Sequence, residues 1–190
     1  MSLLMCEPKY FGIDYSINAW MDVNNQVDYN LANSQWRGLV NKLILAGEDI
    51  FYMNPQSGMP DLVFTANSAL LFDGKAVISR FRDVERQVEQ PVNTEWFNNQ
   101  GYYTELSPVT FEGAGDALFA GGILYLGYGF RSSIEAKSYL SSFGLNIVQC
   151  ELVDPRFYHL DTCFCPLNAR RALIYKPAIK NASDIDLELI

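Results

Sequence analysis

Two hydrophobic periods alternate along the chain, and the switch between them recurs. In "NLANSQWRGLVNKLILAGEDIFYMN", apolar Leu31, Leu39, Leu43 and Leu45 follow helical spacing, stop at Gly47 and give way to a β-prone run, Ile50–Met53. "QPVNTEWFNNQGYYTEL" predicts a helix from near Pro91 to Gly101, then strand residues Tyr102–Leu106. "RSSIEAKSYLSSFGLNIVQCEL" predicts another, opening on a Ser132–Glu135 capping box and closing at Gly144 before a strand over Asn146–Leu152. Hairpin patterns precede the second and third helices. Leu62–Phe72 and Lys75–Phe81 flank the turn pair Asp73-Gly74, and Asp116–Phe119 and Ile123–Tyr128 flank Gly121-Gly122. A further hairpin, Leu160–Pro166 and Ala172–Tyr175, turns through Asn168–Arg171. The repeating unit is strand–strand–helix–strand, with a modified first copy and a last copy that stops after its hairpin.

The register of these units points at particular side chains. Glu112 precedes the third hairpin and lies 47 residues before His159, which precedes the fourth. The same step back from Glu112 reaches Thr65, inside "VFTAN". Repeats of this length stack in a ring or solenoid with like positions on a shared surface. Glu112, His159 and the Thr65–Asn67 segment are thereby expected to line one central site.

Composition narrows the classes. A chain of 190 residues, 49% of them hydrophobic, is expected to form one globular domain over residues 1–190. Its net charge of −8 is repelled by phosphate backbones and anionic lipid, which argues against nucleic-acid and membrane partners and suits a small cationic substrate. No apolar run reaches the length of a membrane span, and "MSLLMCEP" lacks the basic region and cleavage site of a signal peptide. Cys6, Cys150, Cys163 and Cys165 form no C-x-x-C pair, so reduced thiols and a cytoplasmic location are expected.

Singly, the chemistry-bearing residues stay ambiguous. His159 is the only histidine, in "FYHLDTCFC"; beside aromatic residues it reads as a hydrogen-bonded structural side chain or as an acid/base group. On a strand, Asp161 at i+2 faces the same side, able to orient the histidine, hold a cation or serve as a rim charge. Cys163 and Cys165 read as small packed residues. "TFEGAGDALF" sets Glu112 and Asp116 around small residues, which fits a cation pocket or an ordinary turn. Asp61 and Asn67 flank an apolar strand, while Arg80, Arg82, Arg86 and Arg131 can capture a carboxylate or form solvated ion pairs. No metal-ligand cluster is visible.

Together the segments are more specific. "MCEPKYFGIDYSINAWMD", "MPDLVFTANSAL", "SRFRDVERQVE", "FEGAGDALF", "LGYGFRS" and "ELVDPRFYHLDTCFCPL" occur in this order and resemble the guanidino-group modifying enzymes, from about Leu4 to Pro177. That superfamily includes arginine deiminase, dimethylarginine dimethylaminohydrolase, glycine amidinotransferase and bacterial arginine dihydrolases. The resemblance implies the pentein fold, an α/β propeller of five ββαβ blades, here incomplete at about three and a half. It implies His159 as general acid/base, Glu112 as its acidic partner and Asp161 as the carboxylate that grips an unmethylated guanidinium. Asn18, Arg86 and Arg131 match positions holding the amino-acid end of the substrate. Asn67 stands where several members carry an aspartate, and Asp116 is an alternative to Glu112 because some relatives are one residue shorter there. No cofactor and no metal are implied.

One departure accompanies the match. The family nucleophile is a cysteine in the fifth, C-terminal blade, and this chain ends during the fourth. The expectation is an amidinotransferase-like hydrolase of arginine or a related guanidino compound whose nucleophilic cysteine lies outside this chain, with an exposed flank through which copies could associate. Two alternatives are a guanidine-binding pseudoenzyme without turnover and a pentein-type interaction protein such as a ribosome-associated factor. The acidic charge and the Glu112/His159 pair argue against the latter.

Overall fold

The computed structural model describes residues 2–190, which group into two compact units, one ending at Ala66 and one spanning Asn67–Ile190. In the first unit, strands β1 (Ser2–Cys6) and β2 (Asp49–Met53) pair in parallel, from Ser2 opposite Asp49 to Cys6 opposite Met53. Parallel neighbours require a crossover, and helix α1 (Tyr29–Leu45) supplies it. Asp28 caps that helix by accepting a hydrogen bond from the Leu31 amide at 3.0 Å. Past its end Gly47 adopts a φ of 86°, the left-handed turn that glycine makes without strain. Cys6, Val40, Met53 and Leu62 are buried in this unit.

The second unit holds three small sheets of one design. Strands β3 (Ala69–Phe72) and β4 (Lys75–Ile78) form a hairpin through Asp73-Gly74, both with positive φ. Two short helices follow, α2 (Val84–Gln87) and α3 (Glu89–Asn99), and β5 (Tyr103–Leu106) then pairs in parallel with β4. The pattern repeats in β6 (Ala117–Ala120), β7 (Ile123–Tyr128), α4 (Ala136–Ser141) and β8 (Asn146–Glu151). The last sheet joins β9 (Phe164–Pro166) to β10 (Arg171–Ile174). Here the structure goes beyond the sequence expectation of a bare hairpin, because β11 (Glu188–Leu189) pairs in parallel with β10. Two 3-10 turns, Lys176–Ala178 and Ala182–Asp184, stand where a helix lies in the other units.

Side-chain alternation joins these sheets into a core. Along β7, Leu124 and Leu126 pack with Leu70, Val77, Phe111 and Leu140, while Tyr125 between them packs on the opposite face with Cys150, Leu160 and Phe164. All three are fully buried, so β7 is apolar throughout, as a strand covered on both faces must be. Burying each such side chain contributes about 1.5–3 kcal/mol.

Two local expectations are corrected. The predicted strands Leu62–Phe72 and Leu160–Pro166 are shorter, because each begins as 3-10 turns: Pro60–Val63 and Thr65–Asn67 in one, Leu160–Thr162 in the other. A matching turn, Gly113–Gly115, precedes β6. The Ser132–Glu135 capping box does not form: α4 begins at Ala136, and the Ser132 hydroxyl is engaged elsewhere. No helix among the described residues is long and apolar enough to cross a membrane.

Candidate active site

The turns that open the hairpins carry the polar side chains singled out by spacing. Glu112 and His159 each immediately precede a 3-10 turn, and Asn67 closes one. Equivalent positions in successive ββαβ units bring them together inside the second unit. His159 Nε2 lies 2.7 Å from Glu112 Oε2, with both residues buried. Burial alone pushes the Glu112 carboxyl up. The hydrogen bond and charge of His159, with the charges of Arg131 and Arg86, outweigh it and hold the pKa at about 2. Glu112 is therefore a carboxylate at neutral pH. A carboxylate only accepts, so Nε2 carries the proton and Nδ1 is the basic nitrogen.

Four further groups fix Glu112. Its Oε1 accepts from the Arg82 amide at 3.2 Å, and its own amide donates to Ser132 Oγ at 3.0 Å. Arg131 Nη1 reaches Glu112 Oε2 at 3.3 Å and Asp83 Oδ2 at 3.2 Å, with its guanidinium over the Tyr158 ring at 4.8 Å. Asn67 Nδ2 donates to Glu112 O at 3.5 Å, and its Oδ1 accepts from Arg86 Nη1 at 3.0 Å. Arg86 is itself held by a two-pronged pair to Glu89, at 2.8 and 2.9 Å, and lies over the Phe81 ring. The small residues of "EGAGD" have a steric reason. A Cβ on Gly115 would stand 2.1 Å from Asn67 Nδ2, so glycine leaves room for the Asn67 amide where it lies.

The remaining expected residues occupy different settings. Asp116 is fully buried, with Oδ1 accepting from the Leu160 amide at 3.0 Å and Oδ2 from Ser132 Oγ at 2.6 Å. Desolvation raises its pKa to about 6, against the lowering charge of His159 and the Ser132 hydrogen bond. Asp161 sits in the 3-10 turn after His159, not on the strand expected from i, i+2 parity. By surface area it stays open to solvent, yet neighbouring atoms desolvate the carboxyl enough to raise its pKa, opposed by the charge of His159. Asn18 belongs to the first unit, where its Oδ1 accepts from the Trp20 amide at 2.9 Å. Arg86 and Arg131 are both buried.

Cys163 and Cys150 are buried, and desolvation pushes both thiols up to about 12. The Cys163 thiol donates to Leu160 O at 3.6 Å, and Cys165 is exposed. Among the described residues no group of three or more His, Cys, Asp or Glu could hold a metal ion. Ser132, Asp83 and Tyr158 are participants that sequence reasoning missed. Ser132 has the residue type and spacing of a helix cap, which masked it; Asp83 carried no signal of its own, and Tyr158 had only its adjacency to His159.

The site is thus built on a buried carboxylate–histidine pair set where the 3-10 turns of successive hairpin units begin. Comparison with known proteins gives the family. The chain is 42% identical over 192 aligned residues to AgrE, a bifunctional arginine dihydrolase/ornithine cyclodeaminase of Nostoc, covering 98% of this chain and 27% of AgrE. It is 37% identical to an N(G),N(G)-dimethylarginine dimethylaminohydrolase of Mycobacterium tuberculosis, covering 98% of this chain and 62% of that protein. Among solved structures, it superposes with a TM-score of 0.90 on the N-terminal domain of ArgZ, a cyanobacterial arginine dihydrolase, in a cysteine-to-serine mutant bound to substrate. That match is 40% identical and covers 96% of this chain and 69% of the other. No family model matches. The chain belongs to the guanidino-group modifying enzyme superfamily. It spans only about a quarter of the length of AgrE.

Proposed function

We propose that the chain supplies the acid/base half of an amidinotransferase-like hydrolase acting on the guanidino group of arginine or a close relative. The observation that carries this is the buried 2.7 Å contact between His159 Nε2 and Glu112 Oε2, which orients Nδ1 as the proton-exchanging nitrogen. Asp161 grips the guanidinium, and its place one turn from His159 supports that role. Asn18, Asn67, Arg86 and Arg131 form the substrate-holding set, Asn18 on motif resemblance alone. In this reading a thiolate attacks the guanidinium carbon, and a C–N bond breaks as His159 protonates the departing amine. His159 then takes a proton from water, whose oxygen displaces the thiolate from the amidino carbon. The ββαβ units are read as blades of one pentein-type propeller domain over 1–190, which the likeness to ArgZ supports.

In this reading the thiolate comes from outside the four cysteines present, since Cys163 and Cys165 do not match the family's nucleophile motif and Cys150 is buried. Nucleophilic cysteines need a lowered pKa, whereas Cys150 and Cys163 are pushed to about 12. The 190-residue polypeptide is therefore expected to show no turnover of L-arginine when assayed for citrulline, ornithine and ammonia. Sustained release abolished by Cys163→Ser or Cys165→Ser overturns this assignment of the thiols.

A further inference from the structure

We propose that Asp116 and Ser132 form a positioning strut that sets the distance between Glu112 and His159, and that Asp116 is not a substrate contact. The inference builds on the reading of Glu112 and His159 as the acid/base pair. Those two residues sit on backbone segments 47 residues apart, so their side-chain geometry is only as well defined as the separation of the segments. A continuous polar chain spans that gap. The Glu112 amide donates to Ser132 Oγ at 3.0 Å, Ser132 Oγ donates to Asp116 Oδ2 at 2.6 Å, and Asp116 Oδ1 accepts from the amide of Leu160 at 3.0 Å. Leu160 is the residue directly after His159. Each end of the strut thus holds the main chain at, or one residue from, a member of the pair.

The surroundings make the strut rigid. Asp116 is fully buried and its own carbonyl accepts from the Gly127 amide at 2.7 Å, which ties it to β7 near its C-terminal end. A Cβ on Gly127 would stand 2.8 Å from both Asp116 Oδ1 and Leu160 Cβ, so the strand backbone presses against the Asp116–Leu160 junction. Ser132 is anchored as well, its carbonyl accepting from the Gly129 amide at 3.2 Å. Both carboxylate oxygens of Asp116 are occupied inside the protein and no surface of the residue reaches solvent, which leaves it no face to offer a ligand. An ionised carboxylate in such a place is costly, as its raised pKa indicates, and a device that brings two backbone amides into register is a reason to keep one there.

The single histidine makes the test direct, because the imidazole N–H signal of this polypeptide has only one origin. Solvent exchange of the His159 Nε2 proton is followed by NMR in wild type, Ser132→Ala, Ser132→Thr and Asp116→Asn, with the Leu126 and Val77 amides as internal references. Losing one link of a buried chain corresponds to roughly a tenfold loosening, so Ser132→Ala and Asp116→Asn are expected to speed ring N–H exchange about tenfold while the reference amides keep their protection. Ser132→Thr keeps the hydroxyl and is expected to restore the slow exchange. Wild-type exchange in both Ser132→Ala and Asp116→Asn, accompanied only by a lower melting temperature, overturns the strut and leaves the pair intact. Absence of any protected imidazole N–H in the wild type refutes the Glu112–His159 pair itself, and the strut with it.

Discussion

Replacing Gly115 by alanine probes the packing on which the site rests. The φ of Gly115 is not in the left-handed region, so the cost comes from what the new methyl meets. That methyl would lie 2.1 Å from Asn67 Nδ2 and 3.3 Å from Asn67 Cγ. Asn67 must swing away, and in doing so it gives up the 3.0 Å hydrogen bond from Arg86 Nη1. Losing a bond to a charged donor costs about 1.5–3 kcal/mol and overpacking about 1–3 kcal/mol, against a gain of about 0.4–1 kcal/mol from a stiffer unfolded chain. Gly115→Ala is thus expected to destabilise the protein by about 3 kcal/mol. Urea denaturation of Gly115→Ala, Asn67→Ala and the double variant checks the source of that loss. With the Asn67 side chain gone, adding the methyl is expected to cost no more than about 1 kcal/mol, a coupling of about 2 kcal/mol. An equal cost of Gly115→Ala in both backgrounds refutes the reasoning.

The thiols and the buried carboxylates give two more expectations. In the native protein at pH 7.5, an aromatic disulfide reagent is expected to modify exposed Cys165 rapidly and to reach buried Cys6, Cys150 and Cys163 only on unfolding; fast labelling of Cys163 contradicts its packing. Asp116 has a folded-state pKa raised from 3.8 to about 6, so the native state binds more protons than the unfolded state between those values, and stability is lost as pH rises from about 4 to 6 and stays lost above. Removing the titration with Asp116→Asn is expected to shift the stability difference between variant and wild type in favour of the variant, by on the order of 1 kcal/mol, from pH 5 to pH 7.5. Parallel pH profiles of the two proteins in urea melts contradict this.

The repeat and its register were legible because they are written in local chemistry. Asp73-Gly74 marks a hairpin, Gly101 ends a helix, and the spacing of Glu112 and His159 follows from stacking like units. What the sequence hid is tertiary in origin. The 3-10 turns at Thr65–Asn67 and Leu160–Thr162 lie in apolar stretches that also suit a strand; at Leu160 the buried Asp116 carboxylate holds the amide that begins the turn. Ser132 has the spacing of a helix cap, but a buried carboxylate competes for its hydroxyl and holds it. Arg131 reads in the sequence as able to capture a carboxylate, but its partners, Glu112 and Asp83, are chosen by the fold. Strand β11 was missed because only two residues pair, too few to leave a pattern.

In the proposed function Asp161 grips a guanidinium beside the His159–Glu112 pair. The most direct test of that grip follows the carbon-bound ring protons of His159 by NMR while L-arginine is added, with L-ornithine, which has the same amino-acid end and no guanidinium, as the comparison. A saturable shift with arginine that ornithine does not produce, lost in Asp161→Asn, is the predicted result. An unmoved His159 signal at saturating arginine, or equal shifts with both ligands, contradicts the account.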